Sequence, residues 1–428
     1  MSSQSFVGFL LSFAAASTVI AGPSAAQQLG SYDIHPDRIF VAGISSGGYM
    51  AVQMHVAFSS LFKGAAIYAG GPYDCAQDSL STAQSTCEAN APPVNVTALE
   101  NLTASWASQG LIDPVANLKG QSVYLWSGTA DRTVVQPLMD ALQSYYQDFQ
   151  ASVFHYDNNF DAQHGWESPY GRLPCQELAS PYVVQCTSAD QGAGAGSGGG
   201  TGVSLPGLSL PGLSLPDLSL SGESLPGLSL PGLTPPGVSL PGQTGGSQPG
   251  QTGGSQPGQT GGSMPGQSSG AAAPYDSEQV WLTHWFGNLN AKNQGTLKGG
   301  VISFDQNEFA PGGNAAAISM DKTGYAFVPT QCANGQQQCG LVLALHGCLQ
   351  NFDEIGWAFI DDAGINEWAD TNGIIVLYPQ TVAMNASNPG GCWDWWGYLN
   401  DPDYAQKTGP QMQALSAMVA RAAGLEAP

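Results

Sequence analysis

Short apolar runs alternate with amphipathic stretches over much of this chain, and the alternation breaks down completely in one long internal segment. From residue 27 to 186, the runs Ile39–Ala42, Ala65–Ala69, Val123–Trp126 and Val153–Tyr156 read as buried strands. Helical spacing over Tyr49–Phe62 and Val134–Phe149 separates some of them. The rhythm resumes from 275 to 428, with strands predicted at Leu341–Leu345 and Ile374–Tyr378 and helices near Ser277–Leu289, Asp353–Thr371 and Pro410–Ala423. Strands alternating with helices predict a mostly parallel sheet covered by helices on both faces, an α/β fold.

The segment 187–274 obeys no such period. Gly and Pro fill 36 of its 88 positions, and it has no aromatic residue, no Cys and no Lys or Arg. It cannot bury enough apolar surface to offset the entropy of ordering its backbone. Eight pentapeptides of the form SLPGL (204–243) precede three octapeptides of the form TGGSQPGQ (244–267). Proline and glycine at this frequency forbid helix and ladder, so an extended, mobile, low-complexity insertion is expected. Long surface insertions add little closure entropy, so one catalytic domain can tolerate it.

Residues 1–26 read as a signal peptide: Phe6–Ile20 is apolar but too short to span a bilayer, and cleavage is expected after Ala21 or Ala26. Export to the extracellular space, with no membrane association after signal removal, fits eight cysteines in an oxidising compartment. The expected pairings are the three short loops Cys75–Cys87, Cys175–Cys186 and Cys332–Cys339, leaving Cys348–Cys392. No CxxC spacing suggests a metal site, and no cofactor is expected. Asn95, Asn101 and Asn385 stand in N-x-S/T sequons, acceptors only in a eukaryotic source. Ten Lys and Arg against 32 Asp and Glu, a net charge of -22, exclude a nucleic-acid partner.

The chemistry begins at Gly43-Ile44-Ser45-Ser46-Gly47, a G-x-S-x-G between a predicted strand and a predicted helix, which is the context of a nucleophile elbow. The same pattern at Gly266–Gly270, around Ser268, has no strand before it and is read as chance. Ser45 is the candidate nucleophile, and the Ser46 N–H the first oxyanion donor. A serine hydroxyl needs a base, and the base an orienting carboxylate. Asp131, after the strand Val123–Trp126, and His164, after Val153–Tyr156, stand in the expected chain order. Asp140, inside a helix, and Asp157 and Asp161, close in sequence to His164, fit less well; His35, His55, His155 and His284 read as structural. The strand Leu341–Leu345 runs into His346-Gly347-Cys348, a pattern that supplies a second oxyanion N–H, here from Cys348, but it follows the triad instead of preceding it. The order is therefore circularly permuted. Trp393 and Trp395, in the run Cys392–Trp396, and His346 are the candidate substrate contacts, an aromatic face giving apolar area at low entropy cost.

Taken together, GISSGGYMA, AGGPYDC, SGTAD, LVLALHGCLQ, Tyr378-Pro379-Gln380 and GCWDWWG resemble the extracellular poly(3-hydroxybutyrate) depolymerases, in the fungal single-domain form with a circularly permuted α/β-hydrolase fold. The resemblance spans about residues 31–186 and 275–428. It implies a secreted, monomeric serine esterase that cleaves short-chain polyhydroxyalkanoates, as an insoluble polyester surface or as soluble oligomers. In it Ser45, Asp131 and His164 form the triad, Ser46 and Cys348 the oxyanion hole, and Trp393 contacts the polymer. Feruloyl and acetylxylan esterases share the elbow and HGC motifs and are the alternative reading. A secreted adhesion protein using the Leu-Pro-Gly repeats is the alternative of another class.

Overall fold

The computed structural model describes residues 28–192, 272–384 and 386–427. The signal segment, the repeats with Ser268, and Asn385 lie outside the described residues.

Four strands from the first segment, β1 (Ile34–Ile44), β2 (Gly64–Tyr68), β3 (Ser122–Trp126) and β4 (Ser152–Asp157), join four from the second in one eight-stranded sheet. Three short strands, β5 (Trp166–Glu167), β6 (Leu173–Pro174) and β7 (Val183–Gln185), form a separate small parallel sheet. The second segment supplies β8 (Gly300–Asp305), β9 (Thr323–Val328), β10 (Cys339–Leu345) and β11 (Ile374–Tyr378). The large sheet runs β4-β3-β2-β1-β10-β11-β9-β8, parallel from β4 to β11 and antiparallel at β9 and β8. The α/β expectation holds, and so does the permutation: β10 pairs in parallel with β1, Val41 opposite Leu343.

Burial on both faces explains why the central strands are nearly continuous apolar runs. In β10, Leu341, Leu343 and Leu345 pack on one face with Met50, Leu138 and Met418 of the helices Ser46–Ala57, Gln136–Asp148 and Pro410–Ala423. Val342 and Ala344 face the other way, toward Trp281 and Trp368 of the helices Ser277–Phe286 and Ile365–Asn372. Each large apolar side chain so withdrawn from water contributes about 1.5–3 kcal/mol.

Several element boundaries differ from expectation for local reasons. The predicted helix Asp353–Thr371 is three helices, Phe352–Ile355, Ala358–Asp362 and Ile365–Asn372, broken where Gly356 (φ 57°) and Gly364 (φ 73°) turn left-handed. The helix Val96–Gln109 was not anticipated, although Asn95 caps it by accepting from the Ala98 N–H and Gly110 ends it at φ 74°. Nor were the antiparallel strands β8 and β9. The fold also continues past the expected boundaries at 186 and 275. Asp190 and Thr187 form a capping box over Ser188–Asp190, Gln191 bridges to Phe160, and Thr187 bridges to Pro274. The Tyr275 N–H donates to the Cys186 carbonyl at 2.7 Å, so the chain leaves for the insertion and returns from it at one place. All four expected disulfides are formed.

Candidate active site

Ser45 sits between β1 and the helix Ser46–Ala57, at φ 57° and ψ -124°. A non-glycine residue rarely adopts such a conformation, and strain of this kind collects at functional turns. The flanking glycines are required by close approach. A Cβ at Gly43 would collide with the Gly47 carbonyl, and one at Gly47 with the carbonyl oxygens of Leu345 and His346. The elbow is thereby pressed against the loop that follows β10.

Successive strand ends are stitched together from Ser45 outward. The Ser45 N–H donates to the Tyr68 carbonyl (3.0 Å), Ala69 to Trp126 (3.0 Å), Ser127 to Asp157 (2.9 Å) and Thr129 to Phe160 (2.8 Å). This carries the carboxyl-end loops of β1, β2, β3 and β4 across the sheet to Asp131 and His164. The Asp131 carboxylate is buried; its Oδ1 accepts from the Thr133 and Val134 N–H groups (2.8 and 3.0 Å), and its Oδ2 from His164 Nδ1 (2.8 Å). Burial opposes protonation of His164, but the charge and hydrogen bond of Asp131, aided by Glu88, outweigh it, and the imidazole pKa is raised. With Nδ1 committed to Asp131, Nε2 is the nitrogen left for base chemistry. The Ser45 hydroxyl and the imidazole are not hydrogen-bonded to each other; such contacts commonly close only around substrate.

The rival candidates are engaged elsewhere. Asp140 accepts from the Tyr156 hydroxyl, and Asp157 from Tyr124 and Tyr275. His55 is buried between Tyr146 and Gln121, His155 pairs with Asp157, and His284 stacks on Phe154.

On the other side of Ser45 stands the β10 loop. A Cβ at Gly347 would lie 2.8 Å from Gln350 Oε1 and 3.1 Å from the Ser45 Cβ, so a side chain there would crowd both the turn and the elbow. The Cys348 N–H has no acceptor among the described residues, whereas Gly347, Leu349 and Gln350 donate to Gln350 Oε1, the Gly390 carbonyl and the Gly347 carbonyl. The Ser46 N–H, first in its helix, carries the positive end of the helix dipole. The β10 loop at Gly347 thus packs against the elbow that carries Ser45 and Ser46.

The three expected substrate contacts are corrected by burial. Trp393 is 0% exposed, its Nε1–H donating to the His346 carbonyl (3.0 Å) and its backbone N–H to Ser46 Oγ (3.4 Å). It is a strut between elbow and loop, with no face for a polymer. Trp395 is 4% exposed and stacked on Tyr49 at 4.1 Å, and His346 is 0% exposed. Sequence reasoning also passed over Glu88, whose carbonyl receives the Val135 N–H (3.0 Å) and whose carboxyl is pushed up to about 7 by burial, against the opposing charge of His164. Nor did it find the buried pair Glu167 and Glu278. The Glu167 Oε2 accepts from the Ser277 N–H (3.2 Å) and the Glu278 Oε1 from the Trp166 indole (2.8 Å). Nothing in the local sequence marks any of these three as buried.

Comparison with known proteins places the chain in a family. No protein-family model matches the chain. A polyhydroxybutyrate depolymerase from Talaromyces funiculosus is 31% identical to it over 414 residues, 93% of each chain. The chain belongs to the polyhydroxybutyrate depolymerase family. A poly(3-hydroxybutyrate) depolymerase from Delftia acidovorans is 34% identical over 93% of this chain, which spans 62% of that relative's length. The solved PHB depolymerase of Penicillium funiculosum superposes with a TM-score of 0.65 at 29% identity, over 93% of this chain and 99% of that one. A serine-to-alanine variant of a PHB depolymerase complexed with an R3HB trimer matches with the same TM-score at 28% identity. These solved depolymerases thus share this fold. Among the described residues, no helix is long and apolar enough to cross a membrane.

Proposed function

We propose that this protein is a secreted serine esterase that hydrolyses the ester bonds of poly(3-hydroxybutyrate)-type polyesters. The observation that supports the reading is that the strained Ser45 elbow, the β10 loop packed against it and the buried Asp131–His164 pair all stand in loops at the carboxyl ends of strands of one sheet. Membership of the depolymerase family supports the substrate class. Four disulfides support an oxidising compartment.

In this mechanism Ser45 Oγ attacks the ester carbonyl while its proton passes to His164 Nε2. Asp131 holds the ring through Nδ1 and stabilises the imidazolium. The tetrahedral oxyanion is met by the Ser46 and Cys348 N–H groups, worth about 10²–10³ in rate per donor. Collapse returns the proton from Nε2 to the departing hydroxyl end of the polymer and leaves an acyl-enzyme on Ser45. Water, deprotonated by the same nitrogen, then releases the hydroxy acid. Only three acidic residues stand in the insertion, so the folded part carries nearly all the excess negative charge. That charge leaves a neutral ester chain unopposed and repels the acid products.

Ser45→Ala should abolish clearing of a poly(3-hydroxybutyrate) suspension and hydrolysis of soluble esters, with a ferulate ester run in parallel on the wild type. Near-normal turnover by Ser45→Ala would overturn the assignment, and faster release of ferulate than of hydroxybutyrate would overturn the substrate class.

A further inference from the structure

The Cys348 amide can serve an oxyanion only if the Gly347–Cys348 peptide is held at one rotation. A trans peptide is planar, with its C=O and N–H pointing in opposite directions, so fixing the carbonyl fixes the amide. The Gly347 carbonyl is held at two points. His346 Nδ1–H donates to it at 2.7 Å, and the Gln350 N–H at 3.3 Å. A carbonyl can only accept, so the His346 proton is on Nδ1; its Nε2 then accepts from the Thr381 N–H at 3.3 Å. Burial holds this imidazole's pKa down, to about 4, so it stays neutral and keeps both roles.

Gln350 works on the same turn from the side. Its Oε1 takes the Gly347 N–H (2.8 Å), and its Nε2 donates to the carbonyls of Pro181 (3.0 Å) and Tyr182 (3.1 Å). The Tyr182 carbonyl also receives the Trp166 N–H (2.9 Å), two residues beyond His164. One side-chain amide, 2% exposed, therefore ties the turn that presents Cys348 to the loop that carries the general base. The turn needs such a tie: Leu349 sits at φ 59°, a left-handed conformation unfavourable for a leucine, and it persists only where its surroundings hold it.

We propose that Gln350, together with His346, is a positioning residue of the oxyanion hole: the two side chains set the Gly347–Cys348 peptide so that its N–H faces the oxygen that becomes negative on Ser45. The inference rests on the serine-esterase reading above. It also gives His346 a role other than touching substrate.

The test is Gln350→Met, similar in length and without the amide, assayed on a soluble hydroxybutyrate oligomer and against an alkylboronic acid, which forms a tetrahedral adduct on a serine nucleophile. We expect kcat to fall about 10- to 100-fold with KM within about twofold, and boronate affinity to fall by the same factor as kcat. Unchanged boronate affinity, or a loss expressed in KM alone, overturns the inference. If Gln350→Met does not fold, Gln350→Glu decides, because it keeps an acceptor for the Gly347 N–H but removes the donor to the Pro181 and Tyr182 carbonyls: kcat and boronate affinity both down about 10-fold or more with KM within about twofold support the brace, and both within about threefold of wild type overturn it. Ser45→Ala separates the two levels. A boronate that binds it as tightly as wild type sinks the serine reading itself, whereas a Ser45-dependent adduct unaffected by Gln350→Met sinks only the brace.

Discussion

Two buried pairs containing carboxyl groups sit three residues apart along one loop, and they solve the same electrostatic problem in opposite ways. Asp131 is matched to a base: two backbone N–H groups and His164 occupy its oxygens, and the pair raises the imidazole's affinity for a proton. Glu167 faces another acid, Glu278, in a fully buried site whose further neighbours Asp276 and Asp157 are also acidic. Glu167 Oε1 and Glu278 Oε2 have no hydrogen-bond partner among the described residues. Burial first, and these like charges as well, push both carboxyls well above their ordinary range, against the hydrogen bonds from Ser277 and Trp166 that pull them down. Equal burial thus sets a carboxylate against an imidazole in one place and, in the other, two carboxyls with raised proton affinity where the loop after His164 meets the helix Ser277–Phe286.

The same chemical change, carboxyl to amide, should separate the two. Asp131→Asn has the larger effect. An amide at this position can donate to Nδ1, which turns the His164 tautomer the wrong way round and removes the charge that stabilises imidazolium. A kcat loss of roughly 10³- to 10⁴-fold is expected, with the fold retained. Steady-state kinetics on a soluble oligomer checks it, and a loss below about 10-fold would place the orienting carboxylate elsewhere.

Glu278→Gln should do the reverse, leaving kcat nearly unchanged and raising stability. A carboxyl whose folded pKa lies above its unfolded value of 4.5 holds more protons folded than unfolded at any pH between the two. Stability therefore falls as pH rises through that window. Glutamine carries no such linkage. The variant's advantage should be nil below about pH 4.5 and grow by about 1.4 kcal/mol for each pH unit above it, until the folded carboxyl itself ionises. Denaturant unfolding at pH 5, 6, 7 and 8 measures this, and a difference that does not change with pH would mean the pair is not protonated.

The contrast also marks what could be read from residues alone. Ser45, Asp131, His164 and the Cys348 loop each stand in the connection that follows a strand, a context that can be read locally, and cysteines close in sequence paired as their spacing suggested. The α/β class followed from runs buried on both faces. Side chains whose meaning depends on a distant partner were not legible. A Trp-rich run after a cysteine reads alike whether it lines a pocket or, like Trp393, braces two loops from within. Gln350 takes its role from carbonyls of Pro181 and Tyr182, and Glu167 from a helix beyond the insertion; no local pattern announces either.

Glu88 tests the boundary between the two kinds of site, because it is a carboxyl pushed up by burial yet it lies within the field of His164. Its ionised form favours imidazolium, and imidazolium favours its ionised form, so the two groups titrate as a pair and the acid limb of the pH profile belongs to both. His164 acts as a base only when neutral, so activity is lost as pH falls through a pKa raised above 6.5. Glu88→Gln removes one negative charge, makes the imidazole easier to deprotonate, and should move the acid limb of kcat/KM to lower pH by about half a unit, the size expected of one partly screened charge. An alkaline shift, or none, would show that Glu88 does not act on the His164 imidazole and belongs with Glu167 and Glu278 among the buried carboxyls outside the site.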